Sequence, residues 1–193
     1  MIRLTFAILF FQFIATVSAQ TNSIQETSLK NKKIIYYSSI SGIALTSQIG
    51  LNELWYKNYP RTNFHFFNDN KEWLQIDKVG HAFSAYQLSQ TFFAIHPEKE
   101  IHPFKASCIG STIAFSYLLG IELMDSKSAS WGFSSGDILA NTSGIFFSFL
   151  NQSTRMKNNF HFKFSYTNSS YSNLRPDVFG RNFQQRIFKD YNG

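Results

Sequence analysis

The stretch FHFFNDNKEWLQIDKVGHAFSAYQLS, residues 64–89, decides the fold. Its first part is aromatic and turn-forming. From Asp69 an acceptor side chain stands three residues before Glu72, the spacing of a capping box, and no proline follows until Pro97. This predicts a helix from about Asp69 to Ile95, stopped at His96-Pro97, with Asp77-Lys78-Val79-Gly80-His81 in its second and third turns. Pro103 suits an early position of the next helix, which continues to about Met124 and carries no charge between Ala106 and Ile121. Ser134-Ser135-Gly136-Asp137 repeats the capping spacing and opens a further helix that runs to about Gln152.

Upstream, Ile34 to Leu51 is a run of 18 residues without charge, long enough to cross a bilayer in principle. Its Ser, Thr and Gly residues suit a helix packed closely on partners. That helix ends near Leu54-Trp55-Tyr56, residue types that fit a membrane-interface belt. Downstream, Phe160, Phe162, Phe164 and Tyr166 alternate with His161, Lys163 and Ser165, the two-residue period of a half-buried strand. The expected architecture is an all-α core, a four-helix antiparallel bundle over residues 34–154 that is membrane-associated or membrane-embedded. An irregular C-terminal segment, 155–193, follows and contains the short aromatic strand and a basic amphipathic piece with Phe183, Arg186 and Ile187.

Arg3, the apolar run Leu4 to Ile14 and the small residues Val17-Ser18-Ala19 form a signal peptide over residues 1–19, with an uncleaved anchor as the alternative. A polar tether, residues 20–33, comes next. With 193 residues, 44% hydrophobic, 18% aromatic and 16% charged, the chain is no disordered polymer and has room for one domain. The single cysteine, Cys108, allows no internal disulfide in an exported chain, so packing must supply the stability. The formal charge is +6, but the basic residues are scattered, which argues against nucleic acid and for anionic lipid head groups. No glycine-rich phosphate loop and no G-x-S-x-G elbow is present, so nucleotide hydrolases and common serine hydrolases have no support.

Short connections make consecutive helices antiparallel, which places the start of the second helix, the end of the third and the start of the fourth at one end. Asp77 with His81, Glu122 with Asp125, and Asp137 with Asn141 are each spaced to share a helix face, so three helices bring polar pairs to one place. Two readings are open. In one, His81, Asp77, Glu122 and Asp137 are catalytic, with His81, Glu122 and Asp137 holding a divalent metal, the only cofactor this donor set suggests. In the other, the same groups with Lys78, Asp125, Ser134 and Asn141 form a structural polar network: Asp137 caps its helix, Asp77 pairs with Lys78 or His81, and Glu122 accepts from backbone amides. No second histidine lies at zinc-motif spacing. Trp131-Gly132-Phe133 reads as a plug on the bundle end, with a ligand-facing lid as the alternative.

Residues 64–89 together with GIELMDSKSASWGFSSGDILANTSG, residues 120–144, resemble the DUF2279 family, often described as YfiM-like predicted periplasmic proteins. More distantly, DK-x-x-H, a later glutamate and D-x-x-x-N opening a helix are similar to VanZ-like membrane proteins. The resemblance marks Asp77, Lys78, Gly80, His81, Glu122, Asp125, Trp131, Gly132, Ser134, Gly136, Asp137, Ala140 and Asn141. Ser126-Lys127 departs from the family pattern, the VanZ-like arginine is missing, and Gln20 stands where some relatives carry a lipoprotein cysteine. It implies an exported protein of the periplasm or an envelope membrane of a Gram-negative bacterium, with a C-terminal part that continues in other members. The expected function is a non-catalytic bundle that binds membrane lipid or an envelope component, the protein partner being undefined. The alternative is a membrane-associated, metal-assisted hydrolase or transferase acting on a lipid-linked envelope substrate.

Overall fold

The computed structural model describes residues 29–54, 56–70, 75–153, 161–165, 167, 169–183 and 186. The signal-peptide reading, most of the tether and the last residues of the basic C-terminal piece lie outside them. Helix α1 spans Leu29–Leu54 and leads into a 3-10 turn, Tyr56–Asn58. Then follow α2 (Ile76–Ala94), α3 (Pro103–Asp125), α4 (Ser135–Ser153) and two single-turn helices, α5 (Tyr171–Leu174) and α6 (Pro176–Phe179). The molecule is mostly helical, as its periodicity and caps require.

Three boundaries follow local chemistry. Pro103 occupies the first turn of α3, where its missing N–H costs nothing. Ser134 Oγ accepts from the Asp137 amide at 3.2 Å and so caps α4. His96 follows the last turn of α2, its amide bonded back to Phe93 O at 3.0 Å. Two expectations are corrected. Helix α2 begins at Ile76 and not near Asp69, because Gln75 takes a left-handed φ of 62° that a helix cannot continue through. The aromatic strand is not formed: residues 161–165 carry no ladder, and the described residues contain no strand, only two isolated bridges. Alternation sets which side chains share a face but supplies no neighbouring edge; Phe162 is held by ring contacts to Tyr86 and Phe147 and by Gln87 Nε2 donating to its carbonyl. Phe160 and Tyr166 lie outside the described residues.

Close packing involves three helices rather than four. Contacts pair Phe93 with Gly110 and His81 with Glu122, so α2 and α3 are antiparallel; Lys78 with Asp137 and Tyr86 with Asn151 make α2 and α4 parallel. Gly110 stands where a Cβ would be 2.9 Å from Phe93 N, and one at Gly144 would overlap the Ala82 carbonyl. Absent side chains bring these helices together. Helix α1 lies alongside and reaches the others through longer groups: Tyr36 OH donates to Phe92 O at 3.0 Å and Gln48 Nε2 to Tyr117 O at 3.2 Å. Tyr36, Ile40, Leu88, Phe92, Ala114 and Leu118 form the centre of the apolar core. Among the described residues one helix, α3, is long and apolar enough to cross a membrane; α1, with the uncharged 18-residue run, is not.

At the end away from the polar cluster, His96 is 2% exposed, edge-on to the Tyr36 ring, and its Nδ1 accepts from the Glu98 amide at 3.1 Å. Burial pushes the imidazole below its ordinary value, with Lys105 and Lys33 adding to the effect and Glu98 opposing it. A histidine depressed in the fold stabilises fully above its unfolded value of about 6.5 and loses that contribution as the pH falls through the folded one. Urea midpoints should therefore fall between pH 7 and pH 5, and His96→Gln should flatten that slope. An unchanged slope in the variant would place the acid sensitivity elsewhere.

Candidate functional site

Of the polar residues expected to meet, all but Asp125 do. Lys78, on the first turn of α2, enters among three carboxylates: Nζ lies 2.6 Å from Asp69 Oδ1, 2.5 Å from Asp137 Oδ1 and 3.3 Å from Asp77 Oδ2. Asp69 was expected to cap α2; it sits in the loop before it and also accepts from Ser134 Oγ at 2.7 Å. One ammonium thus ties the loop, α2 and α4 together. Gly136 is part of the fit, because a Cβ there would overlap the Asn70 side chain and stand 2.8 Å from Lys78 Cε.

Burial works against the Lys78 ammonium, but hydrogen bonds to Asp137 and Asp69 outweigh it and hold the group above the usual lysine range. Asp69 is also partly buried, yet its bonds from Lys78 and Ser134 hold it below the ordinary carboxyl value. For Asp137 the balance reverses: burial raises its pKa, helped by the neighbouring Asp77, against the pull of His81 and Lys78.

One helical turn on, His81 lies beside the same group. Its Nδ1 is 3.2 Å from Asn141 Oδ1 and 3.9 Å from Glu122 Oε1; its Nε2 is 3.6 Å from Asp137 Oδ2 and 3.8 Å from Asp77 Oδ1. Glu122 is fully buried at the end of α3 and its Oε2 accepts from the Ser134 amide at 3.4 Å. In a capping box the third-position carboxylate would serve that amide. Here Asp137 is engaged by Lys78, and Glu122 from another helix serves in its place. Of the two aspartates beside His81, Asp137 is buried and Asp77 half exposed.

Other expected members lie apart. Asp125, one turn beyond Glu122, is buried but turned toward Tyr56, whose OH donates to Oδ1 at 2.6 Å. Trp131 packs edge-on against Tyr59 and Tyr56 with centroids 4.5 and 5.9 Å away, which makes it a plug on the turn after α1. Asp69 and Tyr56 carry no sequence signal that joins them to Lys78 or Asp125; their partners are distant in the chain.

Two loops close this end. Thr62 N donates to Lys127 O, Phe67 N to Phe133 O and Phe133 N to His65 O, all between 2.9 and 3.0 Å. Gly132 permits that approach, since a Cβ there would stand 3.0 Å from His65 Nε2. On the outside, Phe64, Phe66 and Phe133 form a trio with ring centroids 5.2 to 5.7 Å apart, Phe64 and Phe66 being 49% and 71% exposed. Arg61 and Lys127 are exposed on the same two loops. A groove of about 270 Å³ lies nearby, lined by Tyr56, Arg61, Leu123, Met124 and Lys127 among others, and by none of Asp77, His81 and Asp137.

Residues 65–153 match the family model DUF2279, described as a predicted periplasmic lipoprotein. The match spans α2, α3, α4 and the paired loops from His65 onward, with Arg61 and Phe64 before it, and bears out the resemblance read from the motifs. Its description agrees with an exported protein of the periplasm or envelope. The VanZ-like similarity is not shown by it. No curated protein and no solved structure matches the chain.

Proposed function

From the DUF2279 match over residues 65–153, we propose that this chain is a non-catalytic binding protein of the cell envelope that docks on anionic lipid through its aromatic loop end. The observation that carries this reading is the Phe64–Phe66–Phe133 trio, held outward by paired loops that also present Arg61 and Lys127. Aromatic rings favour the membrane interface, and a basic residue near an anionic surface contributes about 1 kcal/mol. Below the trio, the Lys78 ion pairs and the Ser134–Glu122 contact keep the two loops and three helices in one arrangement. The polar cluster serves here as a lock.

Flotation of the purified chain with vesicles of neutral lipid, and of neutral lipid containing an anionic phospholipid, tests this. The wild type should float with the anionic vesicles and be partly released by salt. Phe64→Ser combined with Phe66→Ser removes two exposed rings and should lower partitioning by about 2 kcal/mol, roughly 30-fold, while the melting temperature stays put. Equal flotation of both proteins would overturn the reading.

The metal-assisted hydrolase or transferase is the second reading, and one observation favours it: ligand atoms of Asp77, His81 and Asp137 all lie within 4.8 Å of one another. Hydrolysis of a lipid-linked phosphoester by the wild type but not by His81→Gln would move the assignment from binding to catalysis.

A further inference from the structure

Both aspartates beside His81 divide their oxygens. Lys78 Nζ takes Oδ1 of Asp137 and Oδ2 of Asp77, while Oδ2 of Asp137 and Oδ1 of Asp77 face His81 Nε2 at 3.6 and 3.8 Å. Those separations are too long for hydrogen bonds. They suit the edges of a coordination shell with metal–ligand bonds of about 2.0–2.2 Å. On the far side of the ring, Nδ1 stands 3.2 Å from Asn141 Oδ1, an oxygen that only accepts. In the tautomer that donates from Nδ1 to that oxygen, Nε2 presents its lone pair to two carboxylate oxygens. Three electron-pair donors converge where a cation belongs.

Asn141, whose Oδ1 faces His81, is 1% exposed, so the ring stands between a buried amide on its Nδ1 side and the two carboxylate oxygens on its Nε2 side. We propose that Asp77 Oδ1, His81 Nε2 and Asp137 Oδ2 bind a divalent cation of the zinc or manganese class, with further positions open to water or an oxygen ligand on the exposed Asp77 side. One nitrogen and two oxygens suit these ions better than a calcium-type all-oxygen shell. Asn141 and Glu122, on the Nδ1 side, orient the ring, the usual place of an outer partner to a ligating histidine. Asp77 thus takes the ligand position for which Glu122 was a candidate. The site stands independently of lipid docking, since the aromatic trio contributes no ligand.

The test is equilibrium dialysis of the chelator-stripped full chain against Zn²⁺, and separately Mn²⁺, with bound metal measured by elemental analysis. The wild type should retain one equivalent at pH 7. Asp77→Asn alters a half-exposed side chain and should fold normally, yet bind roughly tenfold or more weakly. His81→Gln should lose the equivalent altogether. No stoichiometric metal on the wild type, or the same binding by Asp77→Asn and the wild type, would overturn the proposal; the latter would place the ion at exposed histidines such as His102 or His161. Flotation reads the lipid docking separately, so the two failures are distinguishable.

Discussion

Lys78→Met should lower the unfolding free energy by about 3 kcal/mol at pH 7, because it leaves Asp69 and Asp137 without their shared cation in a largely buried setting. Methionine keeps most of the stem volume, so the loss reads charge rather than packing. Its pH dependence is specific. Asp69, depressed in the fold, contributes stability above its unfolded value and loses it as the pH falls through the folded one. Asp137, raised in the fold, costs least when protonated, so its burden on the variant eases in acid. The Asp137 sign shrinks the gap between wild type and variant on going from pH 7 to pH 4, and the Asp69 sign adds to it only below about pH 4. The raised Lys78 keeps the gap open through neutral and mildly alkaline pH, closing only as the pH rises through its own folded value. Urea unfolding followed by circular dichroism at pH 4, 5.5 and 7 measures it. Lys57→Met, at an exposed pair with Glu53, should leave the midpoint unchanged. A gap that stays constant with pH would show that Lys78 acts through packing and not through its carboxylates.

The second large effect concerns the α2–α4 contact. Gly→Ala within a helix ordinarily stabilises by about 1 kcal/mol. Gly144→Ala should destabilise by about 3 kcal/mol, because the new methyl overlaps the Ala82 carbonyl and backbone cannot rotate aside as a side chain can. Gly42→Ala and Gly50→Ala, on α1 with nothing within 4 Å of the new atom, should instead raise stability by up to about 1 kcal/mol each. The opposite signs, measured in one set of urea titrations, separate helix propensity from helix contact. A stabilising Gly144→Ala would mean that α2 and α4 do not pack at this distance in solution.

Much of the bundle was legible in the chain itself. Pro103 and the Ser134–Asp137 cap marked two helix starts, His96-Pro97 marked a stop, and short connections then fixed the antiparallel order. That order alone brought Lys78, His81, Glu122, Asp137 and Asn141 to one end. Signals of this kind are local: a cap acts over about four residues and a proline over one turn, so the residues that generate them lie side by side in the sequence.

What the tertiary structure decided is the choice among chemically equivalent partners. The same acceptor spacing occurs at Asp69 and at Ser134, yet only Ser134 caps; Asp69 is drawn to Lys78, nine residues on, and Gln75 turns left-handed before α2 begins. Asp125 shares a face with Glu122 but bonds to Tyr56, and the alternating Phe162 and Phe164 pack as rings with no strand edge beside them. The division of each aspartate's oxygens between Lys78 and His81 has no trace in sequence spacing. The helices and their order follow from local propensity and chain reversal. The site follows from packing, because the Lys78–Asp137 contact joins residues 59 apart and forms only where closely packed glycines let the helices approach.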